Sequence, residues 1–226
     1  IAQAVPLWTL SLFVVLGIVI GALGVLFNAM LVAGLDLTAR ITERFPHAGT
    51  IVVGLVIGAL VMVLPEVTMG HEDLILTLVS QENAVIFLLA IAGIRLFTSV
   101  ASYVSGVPGG IFAPILTLAA CTGLALGSLF TLVAPDSGPL LVAFAIAAMG
   151  GLFTASVRAP MVGVVLTLEL TGAFEIVLPV LATCLVANVT AEWIGGRPIY
   201  EQLLDRTLER AGIRRDEPER ETSGLA

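Results

Sequence analysis

The sequence predicts an all-α, polytopic membrane protein with broken and tilted helices, and three observations carry that prediction. Hydrophobic residues make up 58% of the 226 residues and charged residues only 12%. A soluble domain carries about 25% charged residues, because its surface must face water. The charges also gather in a few places, at Asp36 to Arg44, Glu66 to Glu82 and everything after Arg197. Between them run long apolar segments, the pattern of helices surrounded by lipid or by other helices. Finally, several segments are too short to cross a bilayer or are cut by glycine and proline. Broken helices that meet at an internal site are a mark of transporters and channels.

The apolar stretches are Leu7 to Leu35, Thr50 to Leu64, Ala84 to Tyr103, Ile111 to Val133, Leu140 to Thr154, Pro160 to Leu170 and Ile176 to Trp193. A simple span needs about 20 apolar residues. Leu7 to Leu35 exceeds that and has to tilt, whereas Thr50 to Leu64 and Pro160 to Leu170 are too short to cross alone. Three G-x-x-x-G pairs, Gly17/Gly21, Gly54/Gly58 and Gly123/Gly127, predict close helix packing. In lipid, small residues let backbones approach where the hydrophobic effect gives no cohesion. From Arg197 the chain turns polar. Glu201 to Ala211 reads as one amphipathic helix, and the residues from about Asp216 as a disordered tail. Two parts result: residues 1–200 as a transmembrane helical unit, and residues 201–226 as a short helix with its tail.

The formal charge is −7, with ten arginines and no lysine. No basic face of the kind nucleic-acid binders carry is visible, so no nucleic-acid partner is expected. Arg210, Arg214, Arg215 and Arg220 are interleaved with acids and read as a solvated tail. Counted alone, those arginines place the tail on the cytoplasmic side. Cys121 and Cys184 lie in apolar runs and read as buried small hydrophobes. His47 and His71 show no ligand spacing, so no metal site is expected. The chain begins at Ile1 without Met or a charged leader, which reads as a cut inside a longer protein.

The most informative stretch is Ser105-Gly106-Val107-Pro108-Gly109-Gly110-Ile111-Phe112-Ala113-Pro114. Such a run of small and helix-breaking residues cannot continue a membrane helix. A new helix is expected to start near Ile111, with Pro114 in its first turn, where a missing N–H is no loss. A helix beginning inside the protein leaves its first N–H groups without partners and concentrates positive dipole there. That end is an anion site needing no charged side chain, and glycine before it lets an ion reach the backbone. The N–H groups of Ile111 and Phe112 are the candidate donors. Local chemistry alone leaves a second reading open, a Gly-Pro kink used for packing. Tyr200, after Gly195-Gly196-Arg197-Pro198-Ile199, offers one O–H donor. By itself it reads as an interfacial anchor, as most tyrosines at a membrane boundary do.

Four blocks together resemble one family. Ser105 to Pro114 resembles the S-G-x-P-G lead-in and G-I-F-A-P anion motif of the CLC family of chloride channels and proton-coupled chloride transporters. Met149-Gly150 with Ala155-Ser156-Val157-Arg158-Ala159-Pro160 is similar to the family's M-G…A-S-x-R-A-P segment. Leu168-Glu169-Leu170-Thr171 follows as its L-E-x-T, and Gly195 to Tyr200 as its closing G-G-K/R-P-x-Y. The resemblance implies the second of two inverted repeats in a homodimeric, multi-pass protein of the bacterial inner (plasma) membrane. It implies chloride as bound substrate, with no cofactor, held by the backbone N–H groups of Ile111 and Phe112 and by the Tyr200 hydroxyl as inner gate. Gly109, Gly110, Ala113 and Pro114 would support that site. Leu7 to Leu31, Pro160 to Leu170 and Ile176 to Trp193 would contribute to the dimer interface. With the tail cytoplasmic, the Asp36 to Arg44 loop would be external.

The family's G-S-G-I-P motif and the gating glutamate of its G-R-E-G-P motif do not occur in these residues. They and the proton-relay glutamate would belong to a missing N-terminal repeat. The absence of a long regulatory tail resembles a prokaryotic member. The function implied is chloride/proton antiport. The alternatives are a passive chloride channel of the same fold and a non-transporting structural subunit. An intramembrane enzyme needs a nucleophile with a base, and Ser105 and Ser156 have no histidine in an apolar segment to serve them. Arg95, Arg158 and Glu169 read as structural charges at helix ends. Arg158 and Glu169 would stand about 16 Å apart on a continuous helix, so they cannot pair unless the chain breaks, as at Pro160.

Overall fold

A computed structural model of the chain describes residues 9–42, 48–64, 85–106, 109–133 and 140–212. Among these residues every regular element is a helix. In chain order they are α1 (Leu10–Thr42), α2 (Ala48–Val63), α3 (Val85–Val104), α4 (Phe112–Val133), α5 (Leu140–Val157), α6 (Pro160–Thr171), α7 (Val177–Trp193) and α8 (Ile199–Arg210), with a 3-10 turn at Phe174–Ile176 before α7. Five are long and apolar enough to cross a membrane: α1, α3, α4, α5 and α7 with its 3-10 turn. The helices α2 and α6 are shorter, as their sequence predicts.

The bundle is organised around α5. Fifteen of its residues are buried, on every side of the helix, because α1, α4, α6 and α7 all pack against it. A helix that is apolar all round belongs inside. Its run of alanine and glycine lets those four neighbours come close. Around it, α1 buries one stripe, Phe13, Leu16, Gly17, Ile20, Gly21, Gly24, Phe27, Asn28 and Leu31, at helical spacing. Its opposite side exposes Val14, Val15, Ile18 and Val19, a face suited to lipid. Phe144 of α5 is wedged between Phe13 of α1, at a ring separation of 4.7 Å, and Phe130 of α4, at 5.4 Å. Ring pairs at such separations add cohesion beyond the area they bury.

Breaks fall where the backbone chemistry demands them. Gly195 sits at φ 80°. Its N–H donates to the Glu192 carbonyl, while the Gly196 N–H donates to Ala191, both at 2.9 Å. This is the Schellman arrangement, which glycine closes without a Cβ penalty. The α5–α6 break occurs at Arg158-Ala159, immediately before Pro160, the first residue of α6. Arg158 takes φ 67°, a conformation that costs a residue with a Cβ roughly 1–3 kcal/mol. Cys121 and Cys184 are buried free thiols.

Two expectations need correction. The charged stretch from Asp36 is not a loop, since α1 continues to Thr42. At 33 residues it is about 50 Å long, well beyond the roughly 30 Å of bilayer hydrocarbon, and its last turns can therefore carry charge. Nor do Asp36 and the tail helix lie on opposite sides of the membrane. Asp36 forms an ion pair with Arg206 of α8, so both stand at one end of the bundle. The expected disordered tail from Asp216, and His47 and His71, lie outside the described residues.

Candidate anion site

The first candidate donors stand where the sequence predicts. The helix α4 begins at Phe112, and its first internal bond runs from the Ile115 N–H to the Ile111 carbonyl at 3.1 Å. The N–H groups of Ile111, Phe112 and Ala113 precede that bond, and Pro114 contributes none, so three donors crown the helix instead of four. Ile111 is buried, while Gly109 and Gly110 are exposed. Among the described residues, the nearest atom that a Cβ placed on Gly110 would meet is the Phe112 nitrogen, at 4.0 Å. No described residue blocks the approach to the backbone at Gly110. Val107 and Pro108, inside the lead-in motif, lie outside the described residues.

Tyr200 stands in the first turn of α8, which follows Pro198, and the residue is 53% exposed. Among the described residues no hydrogen bond or ring contact joins it to Ile111 or Phe112. The two helix starts are instead linked through the end of α5. The Phe112 ring meets Phe153 edge-on at 5.7 Å. Three residues later, the Ser156 carbonyl accepts a hydrogen bond from Asn28 Nδ2 at 3.0 Å, and the same amide donates to the Arg197 carbonyl at 3.2 Å. Arg158 completes the junction, with Nη1 on the Asn188 carbonyl at 2.8 Å and Nη2 on Gly196 at 2.7 Å. These bonds offset the strain of its backbone and satisfy carbonyls where α7 ends. The structural reading of Arg158 thus holds, and Glu192 lies 3.9 Å from its guanidinium.

Glu169 is exposed in the last turn of α6, past the break that separates it from Arg158. Ser156 is buried within α5, while the Ser105 hydroxyl donates to the Ser102 carbonyl at 2.7 Å. The sequence reading missed Asn28. Its signal was present, as a lone amide in the long apolar run of α1, because a buried amide in such a run must find partners.

The family model described as "Voltage gated chloride channel" matches residues 1–192. The chain belongs to the voltage-gated chloride channel family. Among similar family members, the H(+)/Cl(-) exchange transporter ClcA of Vibrio parahaemolyticus is 38% identical over 98% of this chain and 48% of its own length. ClcA of Vibrio cholerae is 40% identical over 92% of this chain and 45% of its own. The crystal structure of a slow cyanobacterial Cl−/H+ antiporter superposes with a TM-score of 0.79 at 38% identity, over 92% of this chain and 49% of that one. A eukaryotic CLC transporter shares the fold, with a TM-score of 0.72 at 24% identity over 88% of this chain and 35% of that one. The chain spans about half the length of the curated relatives it matches. It is an integral membrane protein of the CLC fold.

Proposed function

We propose that this chain supplies half of the ion pathway of a chloride/proton exchange transporter. The observation that carries the reading is the start of α4, where the donors of the buried Ile111 and the half-buried Phe112 follow two exposed glycines. Chloride is held there by the N–H groups of Ile111 and Phe112, with Gly109, Gly110, Ala113 and Pro114 shaping the approach. Dipolar donors bind an anion without the deep well of a full counter-charge, so the ion can leave as readily as it enters. Tyr200 donates its O–H from the start of α8 and acts as the inner gate. The gating and proton-relaying carboxylates belong to the other half of the pathway, a preceding repeat of inverted topology. The chloride/proton exchange of the Vibrio relatives and of the cyanobacterial antiporter supports exchange with protons. Residues 1–200 then form the second repeat, and residues 201–226 a cytoplasmic helix and tail. The whole is a homodimer in the bacterial inner membrane.

The mass of the protein purified from its native membrane is the first check. A mass near twice 23.5 kDa fits an assembled pathway. A mass near 23.5 kDa requires a second chain to carry the carboxylates. In the complete gene product, Tyr200→Phe removes one hydrogen bond to an ion. Chloride affinity, read by calorimetry, should fall about tenfold, or ~1.4 kcal/mol. Unchanged affinity with unchanged flux in liposomes would instead favour a structural subunit.

A further inference from the structure

Helix α8 lies alongside the second half of α1 and runs in the same direction. A Cβ on Gly196 would touch Val25 at 2.5 Å. Asn28 then holds the Arg197 carbonyl, and Arg206 reaches Asp36 and the Val32 carbonyl. Arg210 borders a cavity also lined by Thr38 and Thr42. Ile199, Leu203, Arg206 and Arg210 are spaced to form one stripe of α8, and that stripe faces α1.

The two ends of α8 are held very differently. Its start is clamped by the Asn28 and Arg158 hydrogen bonds and by the buried Ile199, directly after the Gly195-Gly196 turn. Its far end adjoins open space, because the cavity beside Arg210 measures about 700 Å³. Between them, Leu203 is half-buried, and the charge tie to α1 is Arg206–Asp36. The Arg206 side chain is 15% exposed and that of Asp36 57%, so the arginine is sheltered while its partner faces water.

We propose that the Asp36–Arg206 ion pair is a latch that fixes the angle of α8 against α1, and so makes Asp36 and Arg206 positioning residues for the Tyr200 hydroxyl. The proposal rests on Tyr200 acting as the inner gate. With the latch closed, the start of α8 has one orientation and the hydroxyl one aim. When the latch opens, α8 pivots about the Gly195-Gly196 turn into the cavity at its far end. Tyr200, in the first turn, then swings off the anion path, and chloride passes that is not matched by a proton.

The test is the chloride-to-proton ratio of the complete gene product in liposomes. Asp36→Asn and Arg206→Gln are each expected to raise the ratio about two- to fivefold, the population shift a partly exposed pair can hold. The exchanged pair Asp36→Arg with Arg206→Asp should bring it back. In a Tyr200→Ala background, Asp36→Asn should add nothing, because the residue it acts through is gone. A native elution peak of each variant in detergent separates loss of the latch from loss of the fold. An unchanged ratio in Asp36→Asn, or a full effect of Asp36→Asn in the Tyr200→Ala background, overturns the latch. If Tyr200→Ala itself leaves the ratio and the chloride affinity untouched, the gate reading fails instead.

Discussion

Two kinds of glycine pair occur in this chain, identical in spacing and opposite in surroundings. On α4, a Cβ at Gly123 would stand 2.6 Å from the Phe144 carbonyl oxygen and 2.8 Å from the Ala145 Cα. On α1, one at Gly21 would stand 2.8 Å from the Ala187 carbonyl oxygen. On α2, a Cβ at Gly54 or Gly58 would meet nothing within 4 Å among the described residues. The G-x-x-x-G pattern therefore states that a helix face is narrow, and the fold decides whether a neighbour uses it. Around α5 and α7 the narrowness is spent on backbone-to-backbone approach, the source of cohesion among membrane helices. At α2 it leaves a smooth apolar face.

The comparison is broken most severely at Gly123. Gly123→Val drives a branched side chain into backbone atoms that cannot move aside. Overpacking of this kind costs roughly 1–3 kcal/mol and often more where the obstacle is backbone. The variant is expected to lose its native elution peak in detergent, and a normal peak would sink the reading of α4 against α5. Gly127→Ala is gentler, because the nearest atom, Phe144 Cβ, would lie 3.3 Å away and belongs to a side chain. Its thermal midpoint should fall by only a few degrees. Gly54→Ala should do least and in the other direction. Replacing an unobstructed helical glycine gains about 0.5–1 kcal/mol, so the midpoint should hold or rise. A marked fall would mean that a neighbouring helix in the complete protein rests on α2.

Much of this was legible in the residues themselves, wherever local backbone chemistry decides. Gly195-Gly196 ends α7, Pro160 begins α6, and the helix start after Gly109-Gly110 falls at Phe112, because glycine and proline act within a turn. What escaped was non-local. The charges from Asp36 onward looked like a loop, because composition cannot tell a polar loop from a helix that outruns its membrane. The partner of Asp36 lies 170 residues away, and no spacing rule reaches that far. Asn28 bridges Ser156 and Arg197, two carbonyls that its sequence neighbours do not announce. The occupancy of each glycine pair likewise depends on which helices the fold makes adjacent.

The central position of α5 carries a consequence for how this sequence can drift. Each substitution in it must suit as many as four neighbouring helices at once, whereas a substitution on the outer face of α2 answers to none of those described. The rate of accepted change along the chain should therefore be lowest across Leu140–Val157 and highest across Ala48–Val63. Compensating changes on α1, α4, α6 and α7 should follow those few that α5 accepts.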